Sequence, residues 1–239
     1  MRIHRLLFLV ICGLTFSKSL PGINPEHYHY SQTTGNLSVN DTLKESQILY
    51  NGRVWRNLYY MVKEDQFFLS SDFLPGSVTI GGRKFDNLSI RYDLYKDQIQ
   101  ITSDQRPVLQ LNKEMVDSFS LFFMNKKWKF INFREDSLNL LNGYVNVLYK
   151  GRSELYIKYG KEIALLAVDK KYDKFYPVQK IYFVKNKMVN LISGERNFVK
   201  LFGDDEQAVK DYIRKNKLVL TRKNPESFIP VIQFYDNLR

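Results

Sequence analysis

The stretch Asn87–Ile101, NLSIRYDLYKDQIQI, decides the fold class. Leu88, Ile90, Tyr92 and Leu94 alternate with Ser89, Arg91 and Asp93. Beyond Tyr95-Lys96-Asp97-Gln98 the alternation resumes, with Ile99 and Ile101 against Gln100 and Thr102. A period of two is the pitch of extended backbone, whose successive side chains point to opposite faces. Two such arms with polar residues between them make a β-hairpin. Asp97 falls in or beside the turn, where a carboxylate bonds nearby backbone N–H groups. Asp93 lies on the face opposite the apolar row. Carboxylates so placed neither share a proton nor flank one bond, so they are not read as a catalytic pair.

The same pattern extends in both directions. Upstream, FLPGSVTIGGRKF alternates Val78 and Ile80 between the turn signals Pro75-Gly76 and Gly81-Gly82. Before it, ILYNGRVWRNLYYMV from Ile48 reads as one extended strand, and QFFLS follows the charged break Lys63-Glu64-Asp65. Downstream, strands are expected at Pro107–Leu111, Ser118–Phe123 and Trp128–Phe133, with Asn112 capping one helical turn and a turn at Asn125-Lys126-Lys127. GYVNVLYKGRSELYIKYGKEIALLAV reads as three strands broken at Lys150-Gly151 and at Gly160, and DKKYDKFYP as a loop. VQKIYFV and MVNLI pair across Lys185-Asn186-Lys187. The period then changes. Phe198, Val199 and Phe202 lie three to four apart after a cap at Ser193. Val209, Tyr212 and Ile213 share a face after Asp204 or Asp205, and Val231, Phe234, Tyr235 and Leu238 share one after Pro230. The fold class is α+β. It is a mainly antiparallel sheet from about residue 48 to 192, with helices at the C-terminus, in one domain over residues 48–239.

The N-terminus carries a different signal. Arg2 and Arg5 precede an apolar run from Leu6 to Phe16 and then the small residues Ser17-Lys18-Ser19. This is the layout of a secretory signal peptide over residues 1–19, too short to span a bilayer comfortably. Residues 20–47 are rich in Ser, Thr, Asn and Gly without a period, and read as a flexible arm. Cys12 is the one cysteine, so cleavage after Ser19 leaves neither disulfide nor thiol. The chain carries 36 basic and 25 acidic residues, a net charge of +11, or +8 without Arg2, Arg5 and Lys18. An exported basic protein does not normally meet nucleic acid. Its expected partners are envelope components: a protein, an acidic glycan or an anionic lipid. No segment beyond the leader reads as a transmembrane span.

Chemistry is sparse. Of three histidines, His4 leaves with the leader, and His27 and His29 lie in the arm. A metal site wants three or four ligands on a rigid frame, so no metal site is assigned. A Ser-His-Asp triad would have to draw its base from the same arm. Gly81-Gly82 lies between strands with no helix after it, so no phosphate loop and no cofactor are expected. No catalytic residue is assigned. Aromatic residues are the remaining lead. On an extended first strand Arg53, Trp55, Asn57 and Tyr59 share one face, suited to stacking on a sugar or gripping a partner. Val54, Leu58, Tyr60 and Val62 share the other, read as core. The basic stretches Lys126-Lys127-Trp128-Lys129 and Arg214-Lys215-Asn216-Lys217 suit acidic lipid or glycan, and equally a solvated turn and helix end.

Taken together, LYNGRVW, PGSVTIGGRKFDNLSIRYDLYKDQI, GYVNVLYKGRSELYIKYGKEI, VKDYIRKNKLVL and FYDNL resemble a family of exported β-rich proteins of Bacteroidota, over roughly residues 48–239. The resemblance implies a bacterial envelope setting, periplasmic or outer, and carries no activity. Asp41-Thr42-Leu43 and Asp136-Ser137-Leu138 are similar to the O-glycosylation sequon of that phylum. The expected role is non-enzymatic binding or a structural part in the envelope. Two alternatives stand beside it: a periplasmic carrier of lipid or another apolar ligand, and a carboxylate-dependent glycan hydrolase.

Overall fold

The computed structural model describes residues 47–50, 52–103, 106–134 and 140–238. The chain divides into two compact units, 1–37 and 38–239, and every described residue belongs to the second. The leader over 1–19, His27 and His29, both sequon-like triplets and nearly all of the arm lie outside the described residues.

Eleven strands form one sheet. They are β1 (Gly52–Val54), β2 (Leu74–Ile80), β3 (Arg83–Asp93), β4 (Gln98–Ser103), β5 (Arg106–Leu111), β6 (Val116–Phe123), β7 (Lys126–Phe133), β8 (Gly143–Lys150), β9 (Glu154–Val168), β10 (Tyr172–Lys185) and β11 (Met188–Leu191). Their spatial order is β1-β5-β4-β3-β2-β6-β7-β8-β9-β10-β11, and every ladder is antiparallel. Three short helices follow: α1 (Glu195–Lys200), α2 (Glu206–Lys215) and α3 (Ile229–Asn237). The protein is α+β, as its alternation and its late change of period require.

Four hairpin turns hold both central residues in the left-handed region: Gly81-Gly82, Met124-Asn125, Asp169-Lys170 and Asn186-Lys187. This backbone matches the twist of the flanking strands, which is why two-residue hairpins favour it. Only the first turn uses glycine. The others hold larger side chains there, and this explains two corrections. The expected loop DKKYDKFYP is instead a tight turn running into β10. The expected break at Gly160 does not exist, because β9 continues through it and Gly160 pairs with Val178.

The register defines one apolar face. Val78, Phe119, Phe130, Asn146, Ile157 and Ile181 stand directly opposite one another across β2, β6, β7, β8, β9 and β10. The sheet bends toward this face. Tyr95, in the turn after β3, stacks edge-on against Phe175 of β10 at 5.3 Å, and Asp97 reaches Lys158 of β9 at 3.5 Å. The segment 63–68 fastens the bend. Lys63 N–H donates to Asp173 C=O (2.8 Å) and Phe175 N–H to Lys63 C=O (3.0 Å). At its other end Phe68 N–H donates to Tyr92 C=O and Leu94 N–H to Gln66 C=O, both at 2.9 Å.

Aromatic rings fill the inside of the bend. Phe68 lies within 4.9–6.2 Å, ring centre to ring centre, of Tyr92, Trp128, Phe130 and Tyr159. Phe119 and Phe130 stack in parallel at 4.7 Å. Further along the same face the helices cover β9 and β10: Phe198, Val199, Phe202, Val209, Ile213 and Tyr235 pack with Leu155, Ile181 and Phe183. The end of α3 is pinned by Asp236, whose carboxylate accepts from Ser153 N–H (3.0 Å) and Tyr149 O–H (3.0 Å).

The first strand needs the largest correction. Residues 47–49 are helical, β1 stops at Val54, and residues 55–62 are irregular. Val54, Leu58 and Tyr60, expected in the core, are 55%, 72% and 77% exposed. Their alternation is real in the sequence, but β1 is a three-residue edge strand on β5, exposed along its length.

Candidate functional site

Of the four residues read as sharing one strand face, only Arg53 lies on β1. Arg53 sends its guanidinium to the Gln110 side-chain oxygen (2.8 and 3.0 Å, with that amide turned to suit its neighbours). Asn57 accepts from Tyr59 N–H at 3.0 Å, a local turn that an Asn in a strand would not make. Tyr59 packs edge-on against Tyr95 (5.0 Å) and Phe175 (5.8 Å). Trp55 lies over the Arg91 guanidinium at 4.7 Å. Because β1 ends at Val54, the side chains no longer alternate as strand neighbours, and each joins a different local group.

Arg91 is held in a cage of three rings, with Phe67 at 3.9 Å and Phe73 at 4.4 Å completing it. Its donors are engaged by Gln100 Oε1 (3.0 and 2.8 Å) and Ser71 C=O (2.8 Å). Burial pulls its pKa down, opposed by Asp93, Asp65 and Asp72. The Trp55 face is therefore occupied by the protein's own cation.

The two aspartates of the opening hairpin exchange their expected roles. Asp93 makes the local bond, accepting from Lys96 N–H at 2.9 Å, and is buried; desolvation pushes its pKa up. Asp97 has a left-handed backbone (φ 52°) that aims its carboxylate away from the turn. It accepts from Tyr92 O–H (2.6 Å) and Lys113 Nζ (2.7 Å), with Tyr144 N–H at 3.4 Å. Lys158 also faces it, with its pKa lowered chiefly by burial. This knot joins four segments of the sheet. Its groups satisfy one another, which is the behaviour of a structural ion cluster.

A concavity of about 920 Å³ lies between α1, α2 and the segment after α2. Val199, Ile213, Leu218 and Val219 line it with apolar surface. Arg196, Lys200, Lys210, Arg214 and Lys217 surround them, against two acids, Glu195 and Glu206. Glu206 is paired with Lys210 at 2.5 Å, and Arg214 with Asp211 at 2.7 Å. Arg196, Lys200 and Lys217 make no ion pair among the described residues.

Local sequence explains the shape. α2 ends in a Schellman motif: Leu218 N–H donates to Ile213 C=O (3.0 Å) and Lys217 N–H to Arg214 C=O (3.2 Å). The motif brings Leu218 back against Ile213 and puts Lys217 at the left-handed position (φ 50°) where glycine is usual. Val219 follows, 79% exposed. The basic stretch Arg214-Lys215-Asn216-Lys217 was legible in the sequence. The groove was not, because α1 supplies Val199, Arg196 and Lys200 from another helix.

Among the described residues no group of three or more His, Cys, Asp or Glu is gathered as metal ligands, and no helix is long and apolar enough to cross a membrane. No family model matches the chain, and no curated protein or solved structure matches it.

Proposed function

We propose that this is an exported protein of a Gram-negative cell envelope that binds an acidic envelope component through its outer surface and carries out no chemistry. The single observation that supports binding is the open groove beside α2, where exposed cations ring apolar side chains. Charge and apolar area side by side suit a ligand that is both acidic and amphiphilic. The rings of Phe68, Tyr92, Phe130 and Tyr159 pack together on the inner side of the sheet and leave only an open cleft of about 390 Å³ beside Phe68 and Tyr159, which supports an outer rather than an internal ligand site. The carboxylates nearest the opening hairpin are committed to Lys113, Gln66 and backbone groups, which favours binding over hydrolysis. Export is supported by the apolar N-terminal run and the small residues after it.

The test is fractionation followed by capture. The full chain with a C-terminal tag is expressed in a Gram-negative host. The expected result is recovery from the envelope or periplasm at a mass reduced by removal of residues 1–19. The released protein, immobilised, is expected to retain acidic envelope material at low salt and release it at high salt. Full-length protein confined to the cytoplasm, or no salt-dependent retention, would overturn the reading.

A further inference from the structure

Resting on that reading of an acidic, amphiphilic ligand, we propose that the α1–α2 groove is a docking site for the anionic phospholipids of a membrane surface. Charge complementarity identifies the occupant. Five cations, Arg196, Lys200, Lys210, Arg214 and Lys217, line the groove against two acids, Glu195 and Glu206, and Arg196, Lys200 and Lys217 make no ion pair among the described residues, so the lining carries net positive charge. A phospholipid headgroup supplies the opposite charge, and the first methylenes of its chains supply contact for Leu218 and Val219. An acidic sugar would meet the cations and leave the apolar lining wet.

Val219 is the distinguishing residue. It is 79% exposed, one residue past the Schellman motif that ends α2, with Lys217 before it and Arg222 and Lys223 exposed after it. An apolar tip within a ring of cations is the arrangement with which a peripheral protein meets an interface, since the tip enters the headgroup layer while the cations stay at phosphate depth. Lys217 is held in the left-handed region, as Lys170 and Lys187 are, and glycine would adopt that backbone freely.

The experiment measures partition of the full chain onto vesicles of phosphatidylglycerol mixed with phosphatidylcholine, and onto phosphatidylcholine alone. Three variants are compared with the parent, and the N-terminal apolar run is common to all four. Lys217→Gly removes one cation and relieves the backbone, so it cannot lose binding by unfolding. It is expected to weaken partition about fivefold, the worth of one lysine near an anionic surface. Val219→Asp is expected to weaken it about tenfold or more, the worth of a buried valine. Lys170→Gly is the matched control. It removes a lysine from another left-handed position, at the far end of the β9–β10 hairpin from the helices, and is expected to leave partition unchanged. Equal losses for Lys170→Gly and Lys217→Gly would reassign binding to diffuse charge and overturn the groove. An unaffected Val219→Asp would overturn it too. Binding of polyglutamate with indifference to vesicles would give the groove to an acidic protein partner and overturn the lipid. The fractionation result is independent of all of these. An exported protein that ignores vesicles ends this inference alone, and a cytoplasmic one ends the broader reading.

Discussion

Phe68→Ala is the sharpest perturbation of the fold. Phe68 is 6% exposed and its ring meets those of Tyr92, Trp128, Phe130 and Tyr159. Truncating a buried phenylalanine costs about 3–5 kcal/mol, from lost transfer energy and the cavity left behind. The upper half of that range applies here, because the neighbours are large rings on three different strands, β3, β7 and β9, and cannot collapse together into the gap. The effect should also be directional. Phe68 anchors the segment that joins β10 to β3, so its loss should loosen the hydrogen bonds from Leu94 N–H to Gln66 and from Phe175 N–H to Lys63. Urea unfolding should give a midpoint lowered by the equivalent of about 4 kcal/mol with an unchanged slope. Amide exchange should accelerate at Leu94 and Phe175 before it does at Phe130. A cost below about 1 kcal/mol, or exchange raised uniformly, would refute the idea that this segment fastens the bend.

Three further outcomes follow from the same contacts. Asp97→Ala should cost about 2–4 kcal/mol, because it strands Lys113, Lys158 and the buried Tyr92 hydroxyl; chemical denaturation measures it. Lys217→Gly should raise the thermal midpoint, since glycine takes the left-handed cap without strain. Asp93→Asn should be more stable than the parent at neutral pH. Burial raises the Asp93 pKa, so its ionised form opposes folding, and the gap between variant and parent should widen as pH rises through and above the ordinary carboxylate range and close below it. A gap independent of pH would show that desolvation of Asp93 is not the cause.

The sheet was legible because its strands alternate and its helices do not. Ile90, Tyr92, Ile99 and Ile101 are buried as their period demands. What escaped the sequence was chemistry that local pattern does not encode. Hairpin turns at Met124-Asn125 and Asp169-Lys170 lack glycine, so their positive φ angles were invisible until the strands around them were seen. The Trp55 face failed because alternation says nothing about where a strand stops, and the partner of Trp55 is Arg91, thirty-six places further on. Asp97 looked like a turn residue and is one, but its carboxylate serves Lys113 and Lys158. The groove was half legible: its cations at 214–217 form a run, whereas its lining comes from two helices and the segment that follows.

Amide exchange on the full chain with and without phosphatidylglycerol-containing vesicles tests the central claim most directly. Protection is predicted over residues 195–219, strongest at Leu218 and Val219, with β3 and β4 unchanged. Protection confined to the sheet, with α1 and α2 exchanging as before, would contradict it.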